Sequence, residues 1–122
     1  MLTLYTITTC DTCRKARRAL DAQGTEYRLH DLRRDGVPQA LIDTLLAERG
    51  AAGAANKRSK TWRELDDADK RAFAADAPDT ARARALLAEH PTLLKRPLLT
   101  AADGILLATG YRDGDYADLG TL

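Results

Sequence analysis

Cysteine is scarce in this chain: Cys10 and Cys13 are the only two in 122 residues. One close pair cannot staple a fold, and a core of this length removes roughly two thirds of the unfolded chain's surface from water without help. Zinc is not expected either, because no second C-x-x-C exists and His30 and His90 lack ligand spacing. No apolar run approaches the ~18–20 residues of a membrane span. No basic start with an apolar stretch and cleavage site marks a secretory signal. Excess charge of one sign is missing too: 19 Lys+Arg against 18 Asp+Glu leave +1. That balance excludes a polycationic nucleic-acid binder and an acidic tail, and no aromatic interleaving suggests base stacking. Repeats, low-complexity tracts and dividing linkers are absent. The expectation is one cytoplasmic domain over 1–122, with no membrane and no direct nucleic-acid contact.

The patterning that is present changes period along the chain. Leu2 to Ile7 alternates apolar and polar, as a half-buried strand does. Thr8 to Asp11 is a polar turn. From Thr12 the period becomes helical, with Cys13, Ala16, Ala19 and Leu20 on one side and Gly24 as the stop. Glu26 to His30 alternates again. Strand, helix and strand within about 30 residues predict a parallel βαβ unit. Pro38 suits a helix start, Leu41, Ile42, Leu45 and Leu46 form its stripe, and Gly50 closes it. Residues 51 to 60 read as loop. Thr61 to Glu64 has capping-box spacing. Asp66 to Phe73 and Thr80 to Glu89 read as helices, and Pro91 ends the second. Leu98 to Thr100 and Ile105 to Ala108 flank Asp103-Gly104 and predict a hairpin. A terminal helical turn would follow. The expected architecture is α/β, in the thioredoxin-like order βαβ…ββα with a helical insertion over about 38–90.

Cys10-Asp11-Thr12-Cys13 falls where the first strand meets the first helix. A thiol there faces unpaired backbone N–H groups and the positive end of the helix dipole. Both favour the thiolate, the form that attacks disulfides and oxyanions. Cys13 lies one turn along, within reach of Cys10 to resolve a mixed disulfide. A bland role stands beside this one: on the apolar face, Cys13 is also a plain buried hydrophobe. Arg14 and Lys15 add positive charge nearby. Lys95-Arg96-Pro97 precedes an apolar strand; in the functional reading Pro97 opens that strand beside the thiol and Arg96 faces the thiolate. In the plain reading Arg96 is surface and Pro97 follows a loop. Lys57-Arg58-Ser59-Lys60, taken alone, is a solvated loop.

Cys10 to Arg17, Asn56-Lys57-Arg58-Ser59-Lys60-Thr61-Trp62, Glu89-His90-Pro91 and Lys95-Arg96-Pro97-Leu98-Leu99 together resemble the ArsC/Spx family. The likeness runs from Leu2 to about Tyr116. Tyr27 to Asp31, Asp35-Gly36 and Thr61-Trp62-Arg63 look like the short YffB-like branch; the C-x-x-C and Gly110-Tyr111 look like Spx. The resemblance implies a thioredoxin-like fold with a helical insertion and Cys10 as nucleophile. It implies oxyanion-binding arginines at Arg58 and Arg96, with Pro97 as the cis-proline. The family's third arginine is unmatched: its place falls near Tyr111, and Arg112 stands one residue on. Thr6 occupies the position of a reductase histidine. A glutathione-dependent, arsenate reductase-like enzyme is expected, with catalytic Cys10, Cys13 and Arg96. Its substrate contacts would be Arg58, Arg96, Pro97 and Arg112. Glutathione or glutaredoxin is the expected partner, and no cofactor is tightly bound. The other implied reading is an Spx-like redox regulator, binding the C-terminal domain of the RNA polymerase α subunit through a Cys10–Cys13 switch. A third is the fold without activity.

Overall fold

A computed structural model describes residues 1–117 and Leu119. The chain forms two compact units, Met1–Asp35 with Arg96–Leu122, and Gly36–Lys95.

The first unit is built on a four-stranded sheet. Strand β1 (Leu2–Thr6) leads into helix α1 (Asp11–Ala22) and strand β2 (Tyr27–Asp31), and β1 pairs with β2 in parallel. Strands β3 (Leu98–Thr100) and β4 (Leu106–Thr109) complete the order β2-β1-β3-β4, with β3 antiparallel to both neighbours. This is the expected α/β, thioredoxin-like arrangement. Alternation along β1 puts Leu4 inward, and Ala16 and Leu20 of α1 cover it together with Leu99 and Tyr116. Burying a leucine side chain in such a cluster contributes about 1.5–3 kcal/mol.

Helix α1 ends as its sequence requires. Gly24 takes φ +70, its N–H reaches the Asp21 carbonyl at 3.2 Å, and the Thr25 N–H reaches Leu20 at 3.0 Å. These two bonds form a Schellman close, which glycine enters without the penalty a Cβ brings.

The expected hairpin starts its return strand one residue late. Ile105 is drawn into the turn, its N–H bound to the Asp103 carboxylate at 3.1 Å, and it is exposed. The expected terminal helical turn falls partly on Asp118 and 120–122, which lie outside the described residues; 113–117 form turns. Within that stretch the Tyr116 ring is buried and its hydroxyl has no partner among the described residues. A buried hydroxyl without a partner costs about 1–3 kcal/mol. Tyr116→Phe is therefore expected to leave stability unchanged or raise it by about 1 kcal/mol in urea unfolding.

The second unit is helical: α2 (Gln39–Ala54), α3 (Lys60–Glu64), α4 (Asp67–Arg71) and α5 (Thr80–Glu89), followed by a 3-10 turn at Pro91–Leu93. Leu41, Ile42 and Leu45 of α2 and Ala83, Leu86 and Leu87 of α5 are buried where the two helices pack. Gly50 does interrupt α2, at φ 71 and ψ 168, a conformation open to glycine. The loop expected from residue 51 is corrected, because helix resumes at Ala51 with Ala51 and Ala54 buried. The capping box expected at Thr61 is corrected as well. Ser59 is the cap, accepting from the Trp62 N–H at 3.1 Å, while the Thr61 hydroxyl bonds Thr92. Among the described residues no helix is long and apolar enough to cross a membrane.

Candidate active site

The C-terminal end of β1 and the first turn of α1 hold the two cysteines. Cys10 is the N-cap of α1, with extended backbone at φ −86 and ψ 119. Its N–H bonds the Ile7 carbonyl at 3.0 Å, and its own carbonyl accepts from Arg14 at 3.0 Å, starting the helix. Both cysteines are free thiols; Cys10 is half-buried and Cys13 is buried. The 3.6-residue period puts Cys13 on the face of α1 that carries Ala16 and Leu20, so its sulfur points into the core.

Two influences compete at Cys10. Burial disfavours the charge, but the Cys13 backbone N–H, the Cys13 thiol and Arg96, by charge and hydrogen bond, outweigh it and bring the Cys10 thiol below its ordinary value. The Cys10 side chain makes no capping hydrogen bond to the first turn of α1. Burial dominates at Cys13 and pushes its thiol up to about 12, against a hydrogen bond from the Ile7 backbone; the neighbouring Cys10 raises it further. Cys13 is therefore a neutral S–H near pH 7, and as such it favours the charged form of Cys10 beside it. Replacing that group tests the point. In Cys13→Ser a neutral hydroxyl takes its place, and the thiolate absorbance of Cys10 titrates near the parent midpoint. In Cys13→Ala the midpoint moves up, because the charged form loses a partner.

Arg96 ends the connection into β3, and the Arg96–Pro97 bond is cis, with Pro97 buried. Of the residues singled out from the sequence, the structure brings Cys10, Cys13 and Arg96 together, and Pro97 follows Arg96 through the cis bond. Arg112 is exposed, its backbone N–H bonds the Asp115 carboxylate at 2.7 Å, and it is not among the leading influences on Cys10. Arg58 belongs to the second unit, exposed in the turn where its N–H bonds Asn56 Oδ1 at 3.1 Å. Arg14 does not supply free charge as expected, because it is paired with Asp11 one turn back. Among the described residues no group of three or more His, Cys, Asp or Glu side chains could hold a metal ion.

Asp31 was not legible as a site residue. It ends β2, is buried at 8% exposure, and its carboxylate accepts from the Thr8 hydroxyl at 2.6 Å and from the N–H groups of Arg33 and Arg34 at 2.9 Å each. The Thr8 hydroxyl first, then the Arg34 N–H, hold its pKa below the ordinary carboxylate range against the effect of burial. The stabilisation this gives is present above the ordinary carboxylate pKa and is lost as pH falls through the lowered one. The clamp fixes Thr8, two residues before the thiol. The signal in the sequence is the Asp31-x-x-x-Asp35-Gly36 turn, in which Asp31 stands out only as part of the YffB-like segment Tyr27 to Asp31.

The model of the ArsC family matches residues 5–119. An uncharacterized protein of Haemophilus influenzae is 38% identical over 116 residues, covering 95% of this chain and 96% of its own. The global transcriptional regulator Spx 2 of Bacillus anthracis is 27% identical, over 93% of this chain and 82% of its own. Among solved structures, the YFFB protein superposes with a TM-score of 0.80 at 34% identity, covering 96% of each chain. A possible arsenate reductase from Streptococcus mutans does so at 0.78 and 32%, covering 98% of each. With the strand order, the thiol at the helix start and the arginine before the cis-proline already in place, this nearly full-length match closes the assignment: the chain belongs to the ArsC family.

Proposed function

We propose that the protein is a glutathione-dependent thiol reductase with Cys10 as nucleophile. The observation that carries this is a half-buried sulfur whose anionic form is favoured by the Cys13 N–H, the Cys13 thiol and Arg96 together. On a mixed disulfide of glutathione, the Cys10 thiolate attacks the glutathione sulfur. A Cys10–glutathione disulfide forms, and the substrate leaves as a thiolate that takes a proton from water. Glutathione, as thiolate, then attacks the sulfur of the glutathione attached to Cys10. Oxidised glutathione leaves and the Cys10 thiolate returns. Two electrons pass from glutathione to the substrate thiol. Cys13 is a poor resolving group in this scheme, since its thiol is uncharged near pH 7. Fixed positive charge from Arg96 steadies the charge that moves between sulfurs. The reading places the protein in a reducing compartment, the cytoplasm.

The test follows glutathione oxidation with a peptide–glutathione mixed disulfide as substrate. Turnover above the uncatalysed exchange rate supports the proposal, and a rate equal to that of buffer rejects it.

A second reading is favoured by the nearness of the two thiols, each of which influences the ionisation of the other, and by the Spx relatives. In it, an oxidant of the peroxide class converts the pair to a disulfide, and the changed surface binds the polymerase α C-terminal domain. Pull-down with and without hydrogen peroxide tests it, and absence of binding in both states rejects it.

A further inference from the structure

Ile7, Thr8, Thr9, Asp31, Arg33 and Arg34 line an open cleft of about 410 Å³ inside the first unit. It adjoins the thiol loop but contains neither cysteine nor Arg96. Its size falls within the ~300–1,000 Å³ typical of small-molecule sites.

The polar groups of the cleft divide into those already engaged and those left over. Asp31 is engaged by the Thr8 hydroxyl and two backbone N–H groups. Arg34 is engaged by Asp35 through two bonds of 3.0 Å, a pair that holds the Asp35 pKa at about 2. Left over are the guanidinium of Arg33 and the hydroxyl of Thr9. Both are exposed, and neither has a side-chain partner among the described residues. These two exposed donors are open to a ligand, on a frame that the Asp31 clamp keeps in place. The group that answers them is a carboxylate, which an arginine fork binds through two parallel hydrogen bonds.

The cleft also lies close to the reacting sulfur. Thr9 and Thr8 immediately precede Cys10, and two residues of chain span at most ~7 Å. A ligand whose sulfur meets Cys10 and whose carboxylate lies several bonds away reaches the mouth of this cleft. We propose that the cleft is the carboxylate subsite for the thiol co-substrate, with Arg33 and Thr9 holding a carboxylate of glutathione. The inference rests on the reductase reading for the identity of the ligand; the probe below is inert and measures binding alone.

The experiment uses S-methylglutathione, which has no reactive thiol, to protect Cys10 from alkylation by iodoacetamide. Rates are compared with and without ligand for each protein. The parent is expected to be protected. Arg33→Ala, which keeps the backbone bond to Asp31, is expected to need about tenfold more ligand for half protection. Arg33→Lys should recover part of the difference. Arg28→Ala removes the same charge from the exposed middle of β2 and should behave as the parent. Absence of protection in the parent overturns the subsite, as does an Arg33→Ala curve that matches the parent or Arg28→Ala. Protection that depends on Arg33, without glutathione-linked turnover, leaves the subsite standing and removes the reductase reading. Turnover without that dependence does the reverse.

Discussion

Cys10→Ser is expected to lower glutathione-linked turnover roughly 1,000-fold or more without lowering stability. The two halves of that result have one cause. A serine hydroxyl is not ionised at neutral pH and cannot form the mixed disulfide, so the route through a covalent intermediate closes. At the N-cap, however, serine is a better residue than cysteine. Its oxygen accepts from the backbone N–H groups of the first turn, a bond the cysteine sulfur does not make. Stability in urea should hold or rise by as much as about 1 kcal/mol. Cys13→Ser should retain most turnover when glutathione is in excess, because Cys13 is neutral and glutathione resolves the intermediate. Equal losses in the two variants would mean that Cys13 resolves, and the scheme would need the second thiol as a reactant.

Arg96→Ala is the second large effect. Arg96 acts on Cys10 by charge and by hydrogen bond, and no other side-chain cation is among the leading influences on that sulfur. Removing it raises the Cys10 pKa, so at pH 7 less of the enzyme carries the nucleophile. It also removes fixed positive charge from the transition state, a loss that for one preorganised donor is about 100-fold in rate. The two contributions separate with pH. As pH rises through the shifted pKa, the lost thiolate returns and part of the rate with it; the transition-state part does not. A rate loss in Arg96→Ala that is the same at every pH would assign the whole effect to the transition state. A rate equal to the parent's would remove Arg96 from the mechanism.

The fold was legible because its elements repeat simple periods. The alternation of Leu2 to Thr6, the helical face of Cys13, Ala16 and Leu20, and the Asp103-Gly104 turn each reflect a local preference that packing reinforces. Where the reading slipped, a neighbour decided. Helix resumes at Ala51 because Ala51 and Ala54 are buried, a fact that an alanine-rich stretch with little amphipathic contrast does not reveal. Ser59 takes the cap because α3 starts at Lys60, which leaves Thr61 inside the helix with its hydroxyl on Thr92, thirty-one positions along the chain.

The candidate site was legible in part for the same reason. The position of Cys10 at a strand-to-helix junction follows from local sequence, and the helix dipole follows from position. Asp31 and Thr8 are 23 residues apart, and only the parallel pairing of β1 with β2 makes them neighbours. The clamp and the cleft beside it were therefore out of reach of motif reading. The opposite fates of the two thiols depend on burial, which the C-x-x-C spacing does not encode: one is half-buried and lowered, the other buried and raised.

The Cys10 thiol ionises more readily than an ordinary cysteine, while Cys13 stays a neutral thiol. The most direct measurement is the rate of iodoacetamide alkylation of each cysteine against pH, read by mass spectrometry of the two modified sites. The account predicts that Cys10 reacts with a midpoint below the ~8.5 of a free cysteine and that Cys13 stays unreactive across the neutral range. A Cys10 midpoint at or above that of a free cysteine, or a Cys13 that reacts as readily, would contradict it.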